Sequence, residues 1–194
     1  MTHISRSNSW STERLSYVRP CILAVMLALV VPMPTPATAA EAAAQVGFSP
    51  EGTGRSLVID VINTARRELR VMAYSFTAPD IVQALIAAKK RGVDVLVVVD
   101  AKQSQQRTQA AALNTLATAG VQVRLNGRYQ IMHDKVIIAD HKTVQTGSFN
   151  YTRSAEQANS ENVIVLWDVP GYAGEFLQHW QSRWDQARPY QPAF

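Results

Sequence analysis

Residues 131–150, IMHDKVIIADHKTVQTGSFN, constrain the chain more than any other stretch. Their polar members stand at set intervals: His133, Lys135, Asp140, then Gly147-Ser148-Phe149-Asn150, a spacing of H-x-K-x4-D-x6-G-S-x-N. The apolar run Val136-Ile137-Ile138 reads as a strand that ends in a turn at Ala139-Asp140-His141, and residues 143–146 read as its return. Side chains alternate along a strand, so His133 and Lys135 are expected on one face. Ser148 and Asn150 share a parity at the far end of this hairpin.

These residue types suit phosphoryl chemistry. A neutral imidazole can attack phosphorus and carry the phosphoryl group covalently. An ammonium and neutral donors can hold the non-bridging oxygens as charge shifts in the transition state. His133 is therefore the expected nucleophile, Lys135 the cation, and Ser148 and Asn150 the neutral donors. A rival reading makes His133-Asp134 and Asp140-His141 metal ligands. Asp134 would face away from His133 on a strand, and no third ligand cluster appears, so neither metal nor cofactor is expected. Asp140 has the wrong parity for the catalytic face and lies at a turn; with Gly147 it reads as structural.

The pattern resembles the HKD motif of the phospholipase D superfamily. Residues 72–80 (MAYSFTAPD), 87–95 (AAKKRGVDV) and Asn159-Ser160-Glu161-Asn162 extend the likeness to the small bacterial endonucleases of that family, over about 46–189. The resemblance implies an α/β fold, layered α-β-α with a central mixed sheet. It implies that Glu161 hydrogen-bonds the nucleophile's second ring nitrogen and fixes its tautomer. It also implies metal-independent, sequence-nonspecific cleavage of DNA phosphodiester bonds through a phosphohistidine, with RNA left open as a substrate. The alternative is a phospholipase D or phosphatidyl transferase acting on lipid headgroups. No amphipathic membrane-binding helix or apolar loop stands out in favour of that alternative.

A single motif poses a problem of proton supply. One imidazole attacks, and the leaving oxygen needs a proton from a second group. A homodimer that brings His133 from each chain to a two-fold axis supplies both, and single-motif relatives imply the same. Free imidazole titrates near pH 6.5, so the two protonation states can coexist near neutrality.

The first 39 residues read as a secretory signal peptide. Arg6, Arg14 and Arg19 precede the apolar run 21–31, CILAVMLALVV, and Ala37-Thr38-Ala39 offers a cleavage site. That run is 11 residues long, whereas a membrane span needs about 20. The expectation is an exported protein, periplasmic or secreted, with one domain over 40–194 and no membrane attachment after cleavage. The only cysteine, Cys21, leaves with the leader. So do three of the 19 basic residues and one of the 15 acidic ones, which reduces the net charge from +4 to +2. Nucleic-acid contact therefore needs a local patch. Arg128 and Arg153, with Arg124 and Tyr129, are the basic and aromatic residues near the motif in sequence.

Along the chain, 41–45 reads as a linker and 46–49 as a strand. A helix over Val58, Val61, Ile62 and Ala65 runs to about Arg67. A strand covers 69–74, and Thr77 with Asp80 resembles a capping box for the next helix. The near-continuous apolar run 93–99 predicts a central strand. A helix over 103–119, a strand over 121–125, a turn at Asn126-Gly127, a polar loop over 151–160, a strand over 163–167 and a helix over 174–187 complete the reading. Trp180 and Trp184, at helical spacing, read as core.

Overall fold

The computed structural model describes residues 43–192; the expected leader, 1–39, lies outside them. In chain order the elements are β1 (Ala43–Ser49), α1 (Thr53–Thr64), β2 (Glu68–Ala73), α2 (Pro79–Lys90) and β3 (Asp94–Asp100). A 3-10 turn (Gln103–Gln105) leads into α3 (Arg107–Thr118), β4 (Gln122–Asn126), β5 (Lys135–Ala139) and β6 (Thr143–Gly147). Then come α4 (Arg153–Gln157), β7 (Glu161–Trp167), α5 (Pro170–Asp185) and β8 (Arg188–Pro189).

The strands form one 8-stranded sheet in the order β1-β7-β6-β5-β2-β3-β4-β8. β2, β3 and β4 run parallel, and every other neighbouring pair is antiparallel. The sheet is therefore mixed, as expected, because the motif hairpin β5–β6 is inserted beside a parallel βαβαβ unit. All five residues of β5 are buried, which places it at the centre.

Helices cover both faces. Val58 and Ile62 of α1, Ile81 and Leu85 of α2, and Leu113 and Leu116 of α3 pack with Val71, Val97 and Ile137 on one face. On the other, Trp180 and Trp184 of α5 pack with Met72, Val98, Val136 and Ile138. The two indoles stack with centroids 5.0 Å apart, and Trp180 Nε1 donates to the Val71 carbonyl at 3.2 Å. Arg124 lies over the Trp184 ring at 4.4 Å and donates to the Trp184 carbonyl at 3.0 Å. That use removes Arg124 from the residues near the motif that could grip phosphate.

Several boundaries differ from the sequence reading, each for a tertiary reason. Residues 43–45 join β1 because β7 pairs with them; their own side chains are exposed and carry no apolar signal. α1 ends at Thr64 rather than near Arg67, since the Asp140 carboxylate captures the N–H groups of Arg66, Arg67 and Glu68. The capping box at Thr77 does not form. Asp80 pairs with Arg55 instead, and the N–H groups of Thr77 and Ala78 donate to the Tyr151 carbonyl. The helix expected from 103 is split in two: a 3-10 turn, started by the Asp100 carboxylate accepting the Gln103 N–H at 2.7 Å, is separated from α3 by Gln106, whose backbone is extended. The loop expected at 151–160 contains α4, capped by Thr152 Oγ1 accepting the Ala155 N–H at 3.1 Å. Asn126 ends β4 rather than standing in a turn: it is buried, and its Nδ2 donates to the Arg183 carbonyl at 2.9 Å. Among the described residues, no helix is long and apolar enough to cross a membrane.

Candidate active site

Strand direction gathers the motif. The C-terminal ends of β1, β2, β3, β4 and β6 and the N-terminal ends of β5, β7 and β8 all fall on one edge of the sheet. His133, Lys135, Ser148, Asn150 and Glu161 come from three of these ends.

His133 is not on the strand. β5 begins at Lys135, opposite the last residue of β2, Ala73, and only one further bond extends the ladder, Tyr74 N–H to the Asp134 carbonyl at 3.0 Å. The expected alternation with Lys135 therefore does not operate. The segment is pinned on the other side by Asp100, whose second carboxylate oxygen accepts the Met132 N–H at 2.9 Å. The backbone is held on both sides of His133 while its side chain stays exposed, with its ring 4.8 Å from the Tyr74 ring at an angle of 57°.

Lys135 is only 7 % exposed. Its Nζ donates to the His133 carbonyl at 2.8 Å and lies 5.6 Å from the Tyr74 ring centroid. Burial lowers its pKa from the ordinary 10.5, and the carboxylates of Asp134 and Glu161 act in the opposite sense. The cation thus sits directly behind the His133 backbone with little water around it.

Ser148 Oγ donates to Glu161 Oε2 at 2.6 Å and accepts the Asn162 N–H at 3.0 Å. The other Glu161 oxygen accepts Asn159 Nδ2 at 2.9 Å. Two expectations change here. Ser148 gives its proton to Glu161 rather than presenting it freely. Glu161 is bonded to Ser148 and Asn159, and among the described residues no hydrogen bond joins it to the His133 ring. The sheet order explains both: β6 stands between β7, which Glu161 opens, and β5, so the end of β6 reaches Glu161 first. Asn150 follows on the same segment, half-buried, with its Oδ1 buried and without a hydrogen-bond partner among the described residues.

Asp140 lies at the opposite end of β5, roughly 20 Å away at about 3.4 Å per residue. It bonds backbone, accepting from Arg66, Arg67 and Glu68 at 2.9, 2.8 and 3.0 Å. Burial opposes its charge, but those three N–H bonds and the Arg67 guanidinium together hold its carboxyl below the ordinary 3.8. The metal reading is disassembled by the same geometry: Asp134 pairs with His179 of α5 at 3.1 Å, and Asp140 and His141 are at the far end of the strand. Gly147 has φ 144°, and a Cβ there would run into the backbone carbonyl of Asn162. Arg128 and Arg153 are exposed; Arg128 follows β4 and Arg153 opens α4.

Sequence reasoning missed Tyr74, Asp100, Asn126, and the direct bonding of Asn159 and Asn162 to Glu161 and Ser148. One signal was available for the first three. Asp100 and Asn126 end strands of the parallel unit and Tyr74 directly follows one, the place where α/β sheets set their functional groups.

This fold and this site define a class. The chain matches the family described as "Cardiolipin synthase, PLD-like domain" over residues 58–186, and it belongs to the phospholipase D superfamily of phosphodiesterases. Among solved structures it is similar to Nuc from Salmonella typhimurium, a phospholipase D family member. The identity is 53 %, the TM-score 0.77, and the match covers 78 % of this chain and 99 % of that one. NucT from Helicobacter pylori shares the fold at 23 % identity and a TM-score of 0.65, covering 77 % and 100 % of the two chains. A curated relative, phospholipase D of Rickettsia bellii, is 39 % identical over 136 residues, which is 70 % of this chain and 66 % of that protein. The mitochondrial cardiolipin hydrolase of Chlamydomonas reinhardtii is 33 % identical over 138 residues, 71 % of this chain and 60 % of that protein. The chain therefore spans about two thirds or less of the length of these two curated relatives.

Proposed function

We propose that the protein is an exported, metal-independent endonuclease that hydrolyses phosphodiester bonds of DNA without sequence preference, working as a homodimer with a shared site. The observation that carries this reading is the clamped backbone at Met132 and Asp134 that presents an exposed His133 imidazole beside the buried ammonium of Lys135. In the first step a ring nitrogen of His133 forms a P–N bond as the P–O bond to the leaving alcohol breaks. The partner chain's imidazole gives that alcohol its proton. Water then attacks the phosphohistidine, loses a proton to that imidazole, and frees His133. Lys135 stabilises the charge on the phosphoryl oxygens in both steps.

The second copy is supported by what one chain lacks and by what it exposes. One motif supplies one imidazole. On the edge strand β1, Val46 and Phe48 are 62 % and 50 % exposed, and the next residue, Ser49, pairs with Glu161. Export rests on the residues of the leader, and nuclease activity on the likeness to the single-motif bacterial endonucleases. A lipid reading is favoured by the names of the curated relatives, phospholipase D and cardiolipin hydrolase.

The test is cleavage of plasmid DNA by the protein in excess EDTA, beside His133→Ala. Cleavage by wild type alone is the expected result. Loss of cleavage in EDTA overturns the metal-free mechanism. Release of headgroup from cardiolipin vesicles with no cleavage of DNA replaces the nuclease by the lipase.

A further inference from the structure

Beside the catalytic segment lies a cavity of about 340 Å³ at the ends of β3, β4 and β8, lined by Lys102, Gln105, Asn126, Tyr129, Gln130 and Arg188 among others. That size falls within the range of small-ligand pockets, about 300–1,000 Å³. The only carboxylate in its lining, Asp100, has both oxygens occupied by the N–H groups of Gln103 and Met132. Neither Lys102 nor Arg188 takes part in an ion pair among the described residues. Tyr129 is 38 % exposed, and the Arg183 guanidinium lies 5.0 Å from its ring centroid. A planar cation against one face of an aromatic ring leaves the other face for a second planar group. Gln130 is three residues from His133, a reach of at most about 11 Å. The lining of the cavity thus comes within about 11 Å of the His133 backbone along the chain.

We infer that this cavity is a subsite for the nucleotide flanking the scissile phosphate, with its base stacked on Tyr129 and its phosphate held by Lys102 and Arg188. The inference deepens the nuclease reading and rests on it. Stacking on an aromatic ring is tolerant of sequence, because every base has a π-face. Paired bases have both faces covered, so the subsite takes single-stranded nucleic acid or a frayed duplex end.

The first measurement is binding of a fluorescently labelled single-stranded oligonucleotide to His133→Ala, which reads affinity without turnover. Adding Tyr129→Ala is expected to weaken binding about tenfold, and Tyr129→Phe to restore it. Adding Lys102→Ala and Arg188→Ala is expected to flatten the dependence of log affinity on log salt by about 0.7 per lost phosphate contact. Oligonucleotide affinity unmoved by Tyr129→Ala, or no binding at all, overturns the subsite. Kinetics in the active protein give the second readout. Tyr129→Ala should raise KM for the oligonucleotide far more than KM for bis(p-nitrophenyl) phosphate; an equal loss on both assigns Tyr129 to the fold instead. Failure of the nuclease reading looks different: wild type then turns over the small diester but no polynucleotide.

Discussion

At the scale of single residues, two buried charges at the two ends of β5 are handled in opposite ways. Lys135 has one strong acceptor, the His133 carbonyl, and burial works against its charge. Asp140 has three backbone donors, which more than offset its burial. The first arrangement leaves a poorly solvated cation available to an incoming anion, whereas the second spends its charge on the fold. For Asp140 the pH dependence follows from the sign. Its folded pKa lies below the unfolded one, so its stabilisation is fully present above the unfolded value, about 3.9. It is lost as pH falls through the folded value. Asp140→Asn should therefore destabilise the protein by about 1.5–3 kcal/mol at neutral pH, the cost of charge-assisted hydrogen bonds. The gap from wild type, read from urea unfolding, should shrink below about pH 4. A gap that stays constant from neutral pH into acid would trace the effect to shape rather than charge.

Among the elements, the β5–β6 hairpin and the start of β7 carry the site jointly. The turn is closed by Asp140 and His141 at φ 53° and 59°, values that Asp and His tolerate better than most residues. At the other end, Gly147 lets β6 approach β7 so closely that Ser148 meets both Glu161 and Asn162. Gly147→Ala should cost about 1–3 kcal/mol through overpacking and strain. It should also cut kcat for a small phosphodiester by more than the stability loss alone explains, because the strand end carrying Ser148 and Asn150 must move. Normal kcat in the folded variant would show that this close approach serves packing only. Most elements could be read from residue pattern: apolar spacing marked α1 and α5, and the buried run marked β3. β8 could not, since Arg188-Pro189 has no pattern of its own and is a strand only because β4 offers it an edge. α4 was hidden in the same way, as Arg153–Gln157 is polar and is held by a cap rather than by an apolar face.

For the whole molecule, the proposed shared site makes a quantitative claim about mixtures. If each dimer needs His133 from both chains, activity after exchange between wild type and His133→Ala should fall with the square of the wild-type fraction. A linear fall would mean that one chain carries out both steps. Glu161 joined the motif only through the family resemblance; residue types and spacing alone pointed to an α/β class, grouped His133, Lys135, Ser148 and Asn150 in one motif, and gave Asp140 a structural place. These are local facts, set by side-chain chemistry and by distances of a few residues along the chain. The tertiary structure decided who bonds whom at the site. It gave Glu161 to Ser148, took His133 off the strand, and brought Asp100 and Tyr74 to either side of it. Those contacts join residues far apart in sequence, and they depend on strand order and direction, which no local pattern encodes.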